Sequence, residues 1–144
     1  MEHGSGTIGR GEFLERCATL FALAAFGRSD SRWPDPPRSF PHPDPRPDIT
    51  AERVLSVETL GSSRPKRVMD AYEAARKYPE ILDGLYCACQ CSGKSGHRSL
   101  LVCFETMQPT GCGGCQEEAE LAGKLAKQEK TLADIRLAVD KAYG

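Results

Sequence analysis

The chain has 144 residues, of which 40% are hydrophobic and 27% are charged, so it has room for one modest domain. Its formal net charge of -1 and the absence of any Lys/Arg run exclude an electrostatic surface for nucleic acid or for an anionic membrane. Seven cysteines exceed ordinary usage but fall short of a small toxin-like disulfide scaffold, so they need a specific explanation.

Residues 1–30 are predicted to be an export signal or an N-terminal anchor. Arg10 and Arg16 precede the apolar run 18–26, which is the order of the n-region and the h-region in a signal peptide. The run is too short to span a bilayer. An ordinary N-terminal helix, buried or at an interface, is the alternative, and Cys17 is interpreted as a small apolar residue.

Residues 31–48 are predicted to be a Pro-rich linker. Seven of the fifteen residues in the segment 33–47 are proline, which fixes φ and disfavours helix in the preceding residue. We expect an extended, solvated polyproline II segment that acts as a passive spacer. His42 has no cysteine near it in the sequence, and we expect it to be solvated.

Residues 49–144 are predicted to form a Cys-rich, mostly α-helical metal-binding domain with an irregular Cys-bearing loop region. Val68, Tyr72 and Ala75 recur at helical spacing and are flanked by charged residues, which predicts an amphipathic helix. That helix is expected to end near Pro79, where a second short turn can restart.

Three further helices follow in the sequence. The segment 97–105 is short enough for a helix or a strand, and its setting between helices favours a helix. A longer helix opens at Cys115 and carries glutamates in its first turns, where carboxylates complement the helix dipole and are expected to be solvated. The last helix starts at Thr131, with Asp134 placed for a capping box. Its apolar stripe consists of Leu132, Ile135, Val139 and Tyr143.

Six cysteines fall in the segment 87–115, where glycine is most frequent and periodicity is weakest. Short Ala-rich helices bury little apolar area, so we expect a cross-link in this segment. The alternate cysteines of "CACQC" can wrap three sulfurs around one centre, and the "CGGC" spacing lets two sulfurs reach one ion. The predicted metal ligands are Cys87, Cys89, Cys91, His97, Cys103, Cys112 and Cys115.

Three interpretations of these cysteines remain open. Soft-metal binding comes first, with copper ahead of zinc or an iron–sulfur cluster, and a thioether ligand at Met107 would favour Cu(I). A thiol redox protein would need one low-pKa cysteine, Cys112 or Cys115, with a resolving neighbour. A disulfide-stapled interaction module would pair all six cysteines. The sequence contains no hydrolase motif, which favours a binding protein over an enzyme.

The segment 78–144 resembles the PCYCGC-motif family of bacterial proteins, also described as the CYCXC family of (seleno)proteins. The resemblance consists of C-x-C-x-C in residues 86–91, then "HRSLLVCF", then C-x-x-C followed by "QEEA", and the closing "IRLAVDKAYG". Leu85 and Tyr86 stand where the family motif has proline, and Ala88 and Gln90 replace its tyrosine and glycine.

The resemblance implies an exported or lipid-anchored bacterial protein, placed in the periplasm, outside the cell or at a membrane. Selenocysteine in some relatives implies a reactive chalcogen, as a ligand or a redox nucleophile, rather than inert disulfides. The sequence therefore predicts an exported soft-metal-binding protein for metal handling or electron transfer. Membrane association is expected only through the N-terminus, and no protein partner is indicated.

Overall fold

The computed structural model describes residues 40–144, so the predicted export signal, Cys17 and the first part of the predicted linker lie outside the described residues. Over this range the chain is helical and contains no strand, as predicted. The helices are α1 (Val57–Leu60), α2 (Lys66–Lys77), α3 (Pro79–Asp83), α4 (Cys91–Ser95), α5 (Leu100–Phe104), a 3-10 helix (Gln108–Thr110), α6 (Gly113–Lys127) and α7 (Leu132–Tyr143). None of these helices is long and apolar enough to cross a membrane.

Helices α2 and α6 form the most extensive contact between two helices of the described residues. Small side chains let the two backbones approach closely, since a Cβ built on Gly123 would lie 2.8 Å from the Cβ of Ala74. The predicted amphipathic helix is confirmed as α2, with Val68, Tyr72 and Ala75 all buried. Helices α3 and α5 also pack against both helices of this pair.

Helix α5 lies in the core and confirms the helix predicted between residues 97 and 105. The rings of Phe104 and Tyr72 meet edge to face with centroids 4.9 Å apart, an arrangement that aromatic pairs prefer. The Tyr72 hydroxyl donates a hydrogen bond to the Thr106 carbonyl at 2.5 Å. These contacts fix the position of Cys103, which lies on α5 and is fully buried.

Helix α7 is the last helix of the domain, and it begins as predicted. Thr131 caps the helix and exchanges hydrogen bonds with Asp134 in a complete capping box. Ile135 and Val139 are buried, and the other two residues of the predicted stripe pack against the core. The carboxylate of Asp140 on the same helix points to the segment that precedes α1.

The last residues of the predicted linker pack against the domain instead of being solvated. The His42 side chain is only 6% exposed; its Nε2 lies 3.1 Å from Asp140 Oδ1, and its Nδ1 accepts the Tyr86 N–H at 3.0 Å. The Phe40 ring stacks on Tyr86 with centroids 5.4 Å apart. The expectation of a solvated His42 is therefore wrong, because proline fixes an extended shape but does not determine what that shape contacts.

The segment 40–48 is also attached to the domain through the carboxylate of Asp83, which is fully buried at the end of α3. Arg46 donates to it from its backbone N–H, Nε and Nη2, and Arg98 and Ser99 also donate to it. Burial alone would raise the pKa of Asp83, but these hydrogen bonds lower it to about 2. The network joins residues 40–48 to α3 and to the loop before α5.

Candidate metal centre

Three of the cysteines lie on a tight reversal of the chain between α3 and α4. The Gln90 N–H donates to the Cys87 carbonyl at 3.0 Å, which closes a turn around Cys89. Gln90 itself adopts a left-handed conformation with φ of 61°, so that Cys91 turns back and starts α4. The C-x-C-x-C segment is thus a turn rather than an extended strand.

The remaining three cysteines come from two other helices. Cys103 lies on α5, while Cys112 is the N-cap of α6 and Cys115 lies in its first turn. The predicted start of this helix at Cys115 is two residues late, because the two glycines of "CGGC" already belong to the helix. A Cβ on Gly114 would lie 3.3 Å from the Cβ of Cys89, so the turn and the start of α6 are in close contact.

The sulfur atoms converge on Cys115. Its Sγ lies 3.6 Å from that of Cys87, 3.2 Å from that of Cys89 and 3.9 Å from that of Cys91. The Cys89 and Cys91 sulfurs are 2.7 Å apart, which is longer than the roughly 2.05 Å of a disulfide bond. All six cysteines of the segment are free thiols, and they meet at one centre rather than in three separate pairs.

The six thiols form two overlapping groups of four that could each hold a metal ion. Within each group the sulfur atoms all lie within 4.8 Å of one another. The first group is Cys87, Cys91, Cys103 and Cys115, and the second is Cys89, Cys91, Cys112 and Cys115. All members of the first group are buried, whereas Cys89 and Cys112 of the second group are partly exposed.

The thiols do not share one ionisation behaviour. Hydrogen bonds from Cys103 and Cys115 lower the pKa of Cys87. Hydrogen bonding to Cys103 and Cys87, together with burial, raises the pKa of Cys115. Without a bound cation, the cluster therefore favours a single thiolate that accepts hydrogen bonds from the neighbouring thiols. Several negative charges in one buried cluster would repel one another.

The other two candidate ligands are His97 and Met107. The Nδ1 of His97 lies 3.2 Å from the Cys103 sulfur, so the histidine contacts one predicted ligand but belongs to neither group. The Met107 side chain is 40% exposed. His97 is thus placed to orient Cys103. Of the seven predicted ligands, the structure brings together the six cysteines.

Two further residues contact this region and were not singled out from the sequence. Gln108 donates from Nε2 to the Cys91 sulfur at 2.7 Å. Glu118 accepts the Ala88 N–H at 2.9 Å through Oε2, while its Oε1 is buried without a hydrogen-bond partner among the described residues. Because Glu118 follows Cys115 by three residues on one helix, its place beside the turn could have been inferred from helical spacing.

The position of Glu118 also corrects an expectation. We expected the glutamates of α6 to be solvated, but the side chain of Glu118 is fully buried. Burial raises its pKa to about 9, against the opposing effect of the Ala88 hydrogen bond. The raised pKa favours the neutral carboxyl group, which avoids a negative charge beside the thiols.

A family model described as "Protein of unknown function with PCYCGC motif" matches residues 42–144, which is well over half of the chain. The chain belongs to the PCYCGC-motif family. In this member of the PCYCGC-motif family, Gln90 occupies the glycine position of the motif, and its positive φ is the conformation that glycine adopts without strain. Comparisons with curated proteins and with solved structures give no match.

Proposed function

We propose that this protein is an exported protein that binds a soft metal through its clustered cysteine thiolates, for metal handling or electron transfer. The single observation that carries the proposal is the convergence of six free thiols from three chain segments on one centre. Thiolates are soft ligands that select Cu(I), zinc and iron–sulfur clusters. Export is supported by the charged and apolar pattern of residues 1–30.

The short distances between the cysteine sulfurs favour metal ions that the thiolates bind directly. A metal–sulfur bond of about 2.3 Å sets two sulfurs of a tetrahedral site roughly 3.8 Å apart, close to the 3.6 and 3.9 Å that separate Cys115 from Cys87 and Cys91. An iron–sulfur cluster inserts iron and sulfide between the cysteines and therefore needs a wider space. Among directly bound ions we place copper first, as Cu(I), because soft thiolate ligands select it, and we place zinc second.

Metal handling is supported by the uneven burial of the thiols. Cys89 and Cys112 are partly exposed and border an otherwise buried cluster, which provides the entry path that a metal site requires. In a protein outside the cytoplasm, such an open edge would let a donor or acceptor reach the ion. Electron transfer would use the buried part of the same cluster.

The test is elemental analysis of full-length protein purified without oxygen, together with a count of reactive thiols. We expect copper or zinc at one equivalent or more, with the thiols protected until the protein is denatured in the presence of a chelator. The Cys115→Ser variant should lose the metal, whereas Cys17→Ser, outside the predicted site, should keep it. A metal-free protein that cannot be loaded with Cu(I) or Zn²⁺ would overturn the proposal.

A thiol redox function is the second candidate, and the state of Cys112 is the observation that favours it. Burial would raise the pKa of Cys112, but hydrogen bonds from the Cys115 backbone N–H and thiol lower it below its usual value. The residue is also partly exposed at the N-terminus of α6, a position that favours a thiolate. Alkylation of Cys112 well ahead of the other cysteines in metal-free protein would support this candidate.

A further inference from the structure

We infer that the cysteine cluster is a two-ion centre in which Cys91 and Cys115 bridge a buried ion and a second, exchangeable ion. The inference rests on the proposed soft-metal binding and adds the number of ions, the bridging ligands and a different role for each ion. Its starting point is that both four-cysteine groups contain Cys91 and Cys115. A thiolate sulfur has enough lone pairs to bind two ions at once.

Two shared ligands and four unshared ones account for every cysteine of the segment. Cys87 and Cys103 complete the inner group, and Cys89 and Cys112 complete the outer group. A single tetrahedral ion takes four thiolates and would leave two of the six without a role. Two tetrahedra that share an edge use six sulfurs with none left over, and Cu(I), which accepts fewer thiolates, can occupy the same two places.

For a divalent ion such as Zn²⁺, the net charge of a two-ion centre is no less favourable than that of a single-ion site. Four thiolates around one divalent ion carry a net charge of -2, and six thiolates around two divalent ions carry the same net charge. The second ion therefore adds ligand bonds without adding net charge to a buried region. Gln108 stabilises the bridging position by donating a hydrogen bond to the Cys91 sulfur, as residues around metal ligands commonly do.

Burial separates the roles of the two ions. The inner group lies wholly in the core, and closed four-cysteine sites are typical of structural metals. In the outer group, Cys89 and Cys112 are partly exposed, so solvent and a chelator can reach the ion that they bind. The inner ion is expected to hold the fold, and the outer ion is expected to exchange.

The experiment is a titration of reduced, metal-free full-length protein with Zn²⁺ and, separately, with Cu(I), followed by native mass spectrometry. Wild type is expected to bind two ions, and a soluble chelator should remove one at least tenfold faster than the other. Cys112→Ser is the matched probe of the outer site, because serine is a good N-cap and preserves the start of α6. This variant should bind one ion, the slowly released one, with unchanged helix content by circular dichroism.

The outcomes separate this inference from the proposed function. Wild type that saturates with one ion overturns the two-ion centre and leaves the proposed function standing, whereas wild type that binds neither metal overturns both. Cys103→Ser tests the inner site, and it should lose the slowly released ion. Two ions that leave wild type at one rate would refute the division of roles. A metal–metal scattering path in X-ray absorption of the loaded wild type tests the bridging directly, and its absence at two equivalents would contradict it.

Discussion

The Cys89 sulfur lies 3.2 Å from the Cys115 sulfur, although 26 residues separate them in the chain. This contact joins the turn between α3 and α4 to the first turn of α6, two segments that have little apolar surface of their own. Several thiols held this close repel one another when they ionise. A bound cation would convert that repulsion into attraction, so the stability of the domain should depend on metal.

Removing the metal should lower the thermal stability of the whole domain. Ligand binding stabilises the folded state by about 4 kcal/mol when the free ion exceeds its dissociation constant a thousandfold, and for thiolate sites this energy is coupled to folding. Thermal denaturation of loaded and chelator-treated protein, followed by circular dichroism, measures the difference. The Cys115→Ser variant is the control, since it should melt at the same temperature with and without added metal.

Replacing Gln90 with glycine should stabilise the turn that carries the first cysteines. Gln90 has φ of 61°, a conformation that costs a non-glycine residue roughly 1–2 kcal/mol, offset in part by the greater entropy of glycine in the unfolded chain. We expect a net gain of about 0.5–1 kcal/mol in the free energy of unfolding, measured by urea denaturation.

Replacing a glycine with alanine at the other end of α4 provides the matched control. Gly96 has φ of 68°, and a Cβ at this position meets no atom within 4 Å. Gly96→Ala should therefore destabilise the protein through backbone strain without a steric clash, by about 0.5–1 kcal/mol after the lower unfolded-state entropy of alanine is included. Equal stability of all three proteins would show that α4 does not keep these dihedral angles in solution.

The sequence predicted the helices better than it predicted what lies outside them. Helical spacing identified α2 through Val68 and Tyr72, and the Thr131 capping box identified the start of α7, because these signals are local. The cysteine spacing likewise indicated one shared site. It could not show that Cys91 and Cys115 belong to both groups, since that depends on how α4 and α6 pack.

The packed end of the Pro-rich segment shows the same limit. Proline content predicts an extended backbone, and residues 40–46 contain neither helix nor strand. The partners of His42 and Arg46 are Asp140 and Asp83, which lie far away in the sequence. Polar residues in a Pro-rich segment look like those of a solvated linker until their long-range partners are known.

Removing the carboxylate of Asp83 should destabilise the domain. Asp83→Asn would remove the anion that Arg46 and Arg98 share. Because both guanidinium groups are partly exposed, we expect a cost of about 1–3 kcal/mol rather than the larger cost of breaking a fully buried pair. Arg53→Gln is a matched control, because Arg53 is largely exposed where it pairs with Glu105 and should change stability by less than about 1 kcal/mol.

The pH dependence of the Asp83→Asn variant gives an independent check. The pKa of Asp83 falls from 3.8 to about 2 in the folded protein, so its stabilising effect is complete above pH 3.8 and is lost as the pH falls toward 2. The difference in unfolding free energy between wild type and variant should shrink over that range. A difference that stays constant would mean that folding does not shift the pKa of Asp83.

Protonation of His42 should weaken the attachment of residues 40–48 to the domain. Burial lowers the pKa of His42 below 6.5, although Asp140 opposes the shift, so the neutral ring is the form that the fold favours. A lowered folded-state pKa means that this contribution is present above pH 6.5 and is lost as the pH falls through the folded-state value. The neutral ring can accept the Tyr86 N–H through Nδ1 and donate to Asp140 through Nε2, whereas the protonated ring cannot accept.

Two variants isolate this effect. The amide of His42→Gln offers both an acceptor and a donor but does not titrate, so this variant should lose the part of the pH dependence of stability that begins near pH 6.5. His42→Ala should lack that part as well and should be less stable at pH 7.5 by about 1–3 kcal/mol, because it leaves the Tyr86 N–H without its acceptor and removes one of the two hydrogen bonds to Asp140. Urea denaturation between pH 5 and pH 8 measures both effects. If His42→Gln keeps the pH dependence of wild type, another group must carry the titration.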